Sequence, residues 1–270
     1  MCHFHYNKRP EVHSKRPEPL QILSTYRKSW KKQLLLSLYH PYKILVYLPV
    51  LILSTFFFGT LIVIMVSLGS RKRVHRLPVL WAQCNIKAAL CQVRVSGQTH
   101  IDHNKSYIIV ANHRSHFDVL ALYGWLNTSF RWVMKQELRS IPVLGIACEK
   151  LGHIYVTRGS TVKSQSSIEE ARSKIQQGIS IFFFPEGTRS QTPQLLPFKK
   201  GAFRLARDMG LPILPITING SEKILPSKSL NLMPGIIDIV IHPPIQPEEQ
   251  SERALSDQTK QVISSALSRR

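Results

Sequence analysis

The sequence predicts an α/β fold: a mostly parallel sheet flanked by helices, preceded by an N-terminal membrane helix or re-entrant helical hairpin. Three observations carry this expectation. From residue 92 onward the apolar runs are continuous rather than alternating, as in strands buried on both faces. Helical patterns separate those runs, the order that builds a parallel sheet with covered faces. Before them, residues 44–68 make a stretch of 25 residues without a charge. As a helix that stretch is about 37 Å long, against a hydrocarbon core of about 30 Å.

Residues 1–43 form a basic, partly disordered N-terminus broken by Pro10, Pro17 and Pro19. Within it, 29–39 mixes Lys31 and Lys32 with Trp30, Leu34, Leu35, Leu36 and Leu38, the pattern of an interfacial helix. Residues 44–91 are expected to be a membrane-anchoring helical segment. Five Lys or Arg precede the apolar stretch (Arg27, Lys28, Lys31, Lys32, Lys43) and five follow it (Arg71, Lys72, Arg73, Arg76, Lys87), so charge counting does not orient it. A single crossing puts one basic cluster on each side of the bilayer. A helix broken near Gly59 that returns to its own side keeps both clusters on anionic lipid. After it, 78–90 carries Leu80, Trp81, Cys84, Ala88 and Leu90 at near-helical spacing, facing either the membrane or the domain.

The domain proper is expected over 92–270. Strands are read at 93–95, 107–111, 130–134, 154–156, 179–184, 213–218 and 236–241. Helices are read from Ser115 to about Leu126, from Ser167 (capped by the Ser167-x-x-Glu170 pair) to Gly178, and at 202–209 before Gly210. Residues 135–145 read as a loop or short helix around Ile141 and Pro142. The tail, 247–270, reads as an amphipathic helix with Leu255, Val262, Ile263 and Leu267 inward. The four cysteines, Cys2, Cys84, Cys91 and Cys148, form no Cys-x2-Cys pair and suit free thiols in a reducing compartment.

The formal charge of +20 is uneven, since residues 1–106 hold 16 Lys and Arg against Glu11, Glu18 and Asp102. The excess brackets the apolar stretch. That suits an anionic membrane surface as partner, and no nucleic-acid recognition motif accompanies it.

Two strand ends carry chemistry. The first is NHRSHFD at 112–118, after the 107–111 strand. On one continuous helix a His and an Asp five residues apart lie about 140° from each other. On a strand-to-helix turn, with Ser115 at the N-cap, Asp118 folds back toward His113. The carboxylate then holds one imidazole nitrogen and leaves the other free to accept a proton. Ser115-x-x-Asp118 is equally an ordinary capping box. The second is FPEGTRS at 184–190, where Pro185 and Gly187 permit a sharp turn and leave Glu186 and Arg189 at the carboxyl edge of the sheet, the ligand edge of open α/β folds. Arg158 ends another strand there, and Lys199 and Lys200 follow shortly. Arginine suits phosphate because its fork makes two parallel charge-assisted bonds.

NHRSHFD, GHIYVTR at 152–158, FPEGTRS and LPILP at 211–215 together resemble the four ordered blocks of the glycerolipid acyltransferase family, in particular the bacterial-type 1-acylglycerol-3-phosphate acyltransferases. Tyr155 and Thr157 depart from that family's second block. The resemblance implies acyl transfer from acyl-CoA or acyl-carrier protein to the sn-2 hydroxyl of lysophosphatidate, giving phosphatidate, at a membrane with the domain on the cytoplasmic face. His113 and Asp118 would be catalytic; Arg158, Glu186, Gly187, Thr188 and Arg189 would bind the acceptor, with Glu186 orienting an arginine. It implies no cofactor and no metal. Another lysolipid acceptor, or a non-catalytic basic membrane module, are the alternatives that the residues leave open.

Overall fold

The structure, a computed structural model, describes residues 37–156, 175, 179–248 and 250–268. The chain divides into two units, Met1–Pro41 and Tyr42–Arg270. The first is described only at 37–41, where it is helical. Most of the expected interfacial helix, nearly all of the helix from Ser167, and Arg158 lie outside the described residues.

In the second unit the sheet has seven strands: β1 (Gln92–Ser96), β2 (Ile108–Ala111), β3 (Ser129–Lys135), β4 (Ile154–Val156), β5 (Ile179–Phe183), β6 (Ile213–Asn219) and β7 (Ile236–Ile241). Their spatial order is β1-β7-β6-β2-β5-β3-β4. Every neighbouring pair is parallel except β6 and β7. Continuous apolar runs mark the middle of the sheet because β2 and β6 are buried at every residue. The outer strands β1 and β7 alternate instead.

Among the described residues, six α-helices of seven residues or more accompany the strands: α1 (Leu48–Ser67), α2 (Arg76–Ala88), α3 (Phe117–Trp125), α4 (Leu144–Lys150), α5 (Gly201–Met209) and α6 (Glu252–Ser265). On one face of the sheet Phe203 and Leu205 of α5 and Leu255 and Ile263 of α6 close over Ile108, Ile181 and Ile213. Each such side chain contributes about 1.5–3 kcal/mol by leaving water.

α1 lies in the one run among the described residues that is long and apolar enough to cross a membrane. Of the two forms the sequence leaves open, the break near Gly59 is absent, and the helix passes through that residue unbroken. Gly59 is a clearance instead, since a Cβ there would fall 2.5 Å from Val143 Cγ1. The chain reverses ten residues later. Gly69, at φ +81°, closes the helix with Gly69 N–H donating to Val66 O and Ser70 N–H to Met65 O, a Schellman ending. One side of α1 is docked: Trp81 Nε1 donates to Thr55 Oγ1 at 3.1 Å, Asn85 Nδ2 to Ser54 Oγ at 3.0 Å, and Ile62 packs with Ala147 and Leu151. Leu53, Phe56, Phe57 and Ile64 stay exposed on the helix.

The face expected for α2 is the outward one. Leu80 and Cys84 are exposed, while Leu77, Pro78, Ala82, Asn85 and Ile86 are buried. The segment expected as a loop or short helix holds a short 3₁₀ helix, Gln136–Ser140, and helix α4 follows it, mostly beyond the expected bounds. It begins after Val143, whose φ of +62° lets the chain turn directly out of the Ile141–Pro142 segment.

Candidate active site

The turn after β2 is pinned before it carries chemistry. Asn112, buried, exchanges two 2.8 Å hydrogen bonds with the Ile218 main chain, fastening the end of β2 to β6. Ser115 Oγ donates to Leu225 O at 2.7 Å and accepts from Phe117 N–H at 3.2 Å; it stands just before the N-cap of α3, which is His116 rather than the expected Ser115.

Asp118 is fully buried, and one of its oxygens, Oδ2, accepts three donors. They are His113 Nδ1 at 2.8 Å, Arg114 N–H at 2.8 Å and Ser115 N–H at 2.9 Å. The cap and the His/Asp pair are therefore one structure, and the carboxylate does both jobs. With Nδ1–H donating to Asp118, His113 Nε2 keeps its lone pair, and it has no partner among the described residues. The His113 ring also stacks on Phe184, centroids 3.8 Å apart and planes 12° apart. Phe184 stacks in turn on Trp132.

Register explains that stack. Val110 of β2 pairs with Phe183 of β5, so the residues leaving the two strands rise side by side. Glu186 then ties the two turns together, accepting His113 N–H at Oε1 and Leu196 N–H at Oε2, both at 2.9 Å. Ser190 N–H returns a bond to His113 O at 2.8 Å. Burial raises the Glu186 pKa, and the two amide bonds hold it back. The expected arginine beside Glu186 is not found among the described residues, where its partners are main-chain amides.

Gly187 takes φ +68°, and a Cβ there would stand 2.7 Å from Lys199 Cε and Nζ, so the glycine leaves room for an ammonium across the turn. Arg189 has no ion pair among the described residues. The His116 pKa is lowered, first by desolvation and then by the charges of Arg189 and His113, and the Ser190 N–H bond to His113 O holds the residue after Arg189 against the same turn. Thr188 is exposed. Arg114, whose Nη1 meets Glu222 Oε1 at 3.3 Å, and Tyr47, whose ring lies 6.3 Å from Phe117, buttress the turn from behind.

His113, Asp118, Glu186, Gly187 and Arg189 thus meet at one sheet edge. Asn112, Phe184 and Lys199 join them. Asn112 and Phe184 stood inside the quoted motifs without a role, because their partners, Ile218 and His113, are set by strand register. A mostly parallel sheet thus presents a His/Asp turn beside a cationic Pro-Glu-Gly turn, and residues 92–219 match the family model described as Acyltransferase. Over that stretch, just under half of its length, the chain is similar to that family.

Among its relatives, a 1-acyl-sn-glycerol-3-phosphate acyltransferase of Chlamydomonas reinhardtii is 32% identical over 195 residues, 72% of this chain and 58% of the relative. The human 1-acyl-sn-glycerol-3-phosphate acyltransferase alpha is 32% identical over 158 residues, 58% of this chain and 56% of the relative. The chain spans 49–58% of the length of such relatives. The crystal structure of the 1-acyl-sn-glycerophosphate (LPA) acyltransferase, PlsC, from Thermotoga maritima superposes with a TM-score of 0.71 at 27% identity, covering 87% of this chain and 95% of that one.

Proposed function

We propose that the protein is a membrane-bound O-acyltransferase that moves an acyl group from acyl-CoA or acyl-carrier protein to the sn-2 hydroxyl of 1-acylglycerol-3-phosphate, forming phosphatidate. The observation that carries this reading is the His113–Asp118 pair, with Nε2 open at the edge where Arg189 and Lys199 gather. An alcohol is a poor nucleophile at neutral pH. Nε2 takes its proton as the oxygen attacks the thioester carbonyl, and Asp118 stabilises the imidazolium that forms. The tetrahedral adduct collapses, the C–S bond breaks, and the proton on Nε2 leaves with the thiolate as a thiol. No acyl-enzyme is required, and the two substrates with these side chains complete the proton balance.

Arg189, with Arg158, would receive the acceptor phosphate, while Gly187 and Thr188 shape the turn beneath it. Glu186 acts from underneath, holding the two turns in register. The exposed side of α1 suits lipid, and a soluble acyl donor calls for the domain to sit on the cytoplasmic face. The test offers purified protein radiolabelled acyl-CoA or acyl-carrier protein with a panel of lysolipids. Transfer to lysophosphatidate, lost in His113→Ala with the fold intact, is the expected result. Preference for an acceptor without a phosphate overturns the substrate assignment, and near-normal turnover in His113→Ala overturns the mechanism.

A further inference from the structure

Among the large apolar side chains of the described residues, Leu230 is the most exposed, at 87%. A lone surface leucine carries no message, but this one is held out by a braced turn. Ser229 N–H bonds Pro226 O at 3.1 Å, Asn231 N–H bonds Ser229 Oγ at 3.0 Å, and Met233 N–H bonds Ile224 O at 2.8 Å. Lys228 takes φ +62°, a conformation disfavoured for any residue but glycine, and Leu232 beside the tip is buried.

The tip also has a defined neighbourhood. Lys43 Nζ donates to Leu230 O at 3.0 Å, which sets the loop against the entry to the apolar helix, where Ile44, Leu45 and Leu48 are exposed. The other end of the loop is fastened to the catalytic turn by the Ser115 Oγ bond to Leu225 O. Lys223 and Lys228 are exposed along it, cations that stay at headgroup level while an apolar tip goes deeper.

We infer that the loop at 225–233 is a second membrane contact: Leu230 enters the lipid surface beside the start of α1, and the braced loop passes that position to Ser115, holding the catalytic turn at the height of its lipid acceptor. The inference rests on the membrane reading given above. Continuity with the exposed apolar side of the helix and the flanking lysines select a lipid surface over a protein partner.

The experiment uses the full chain with Cys2 and Cys84 changed to serine and Leu230→Cys labelled with an environment-sensitive fluorophore. The vesicles are equal parts phosphatidylcholine and phosphatidylglycerol. On binding, the emission should shift to the blue and be quenched by lipids carrying a nitroxide just below the headgroup. Bound protein with a water-like probe overturns the inference alone, as does a probe shielded only when acyl-carrier protein is added. Failure to bind vesicles at all removes the membrane reading and the inference with it. In parallel, Leu230→Glu should lower turnover of vesicle-borne acceptor about tenfold, the scale of transferring one leucine side chain, and leave turnover of detergent-dispersed acceptor unchanged. Equal losses in both assays refute a membrane role.

Discussion

Replacing Asp118 by asparagine separates two accounts of the same carboxylate. In a His/Asp pair held only by its ring contact, an amide can turn its NH2 toward the imidazole and force the wrong tautomer, a loss of about 10⁴ in turnover. Here Arg114 N–H and Ser115 N–H both point at Oδ2, at 2.8 and 2.9 Å. An NH2 in that position would face two further donors, so the substituted amide places its oxygen there and its NH2 where Oδ1 now lies without a partner. The tautomer and the cap survive, and the charge does not. For a carboxylate and an imidazolium with charge centres about 4 Å apart, at an effective dielectric constant of about 20, the lost attraction is about 4 kcal/mol, or about three decades in kcat. Initial rates at saturating substrate should show a fall of about 10³, and thermal melts a lowered midpoint, since the NH2 is buried without an acceptor at a cost of about 1–3 kcal/mol. The imidazole ¹⁵N shifts of His113 should still report Nδ1–H. A turnover within a few-fold of the parent would reduce Asp118 to a helix cap. A reversed tautomer would refute the amide-pinning argument.

Glu186→Gln leaves one of two amides facing an NH2, an unsatisfied buried donor worth about 1–3 kcal/mol; melting should show that destabilisation, and a variant as stable as the parent would mean the tether is dispensable. Arg189→Lys keeps the charge and loses the fork, so steady-state kinetics should show the acceptor KM rising while the donor KM holds; equal changes in both would remove the acceptor assignment. Burial pushes the thiols of Cys91 and Cys148 up to about 11. At pH 8 only about one in a thousand of either is thiolate, and reactivity should rise with pH toward that value. In a Cys2→Ser chain, brief maleimide treatment followed by peptide mapping should therefore mark the exposed Cys84 and spare the other two.

The strands were legible because the middle of the sheet is buried on both faces, which leaves unbroken apolar runs such as 213–218 that need no partner to be recognised. The His113–Asp118 pairing was legible because its geometry is local to one turn. What depended on tertiary neighbours was not. Gly59 in an apolar run reads as a break, and only the position of Val143 shows it to be a clearance. In α2, Leu80, Trp81 and Cys84 make the more conspicuous stripe, yet the buried side includes Asn85, which is accommodated because Ser54 on α1 and its own helix bond it. Glu186 reads as a ligand-edge acid because nothing in the chain announces that Leu196 N–H will fold back to it. The role of Arg158 rests on the motif alone.

The pairing of β1 with β7 has a consequence for the order in which the protein can be made. Gln92 lies opposite Ile236, so the ribosome must add 144 residues before the first strand has its neighbour. At about 5–20 residues per second that is about 7–30 s. α1 waits as well, because Val143, on which Gly59 closes, is synthesised 84 residues after it. Through that interval α2 can already dock on the apolar helix, but Val143, Ala147 and Leu151, which pack against it, are still missing. Bilayer lipid can cover the side of α1 that α2 leaves open, so biogenesis favours arrival at the membrane first and closure of the sheet afterwards.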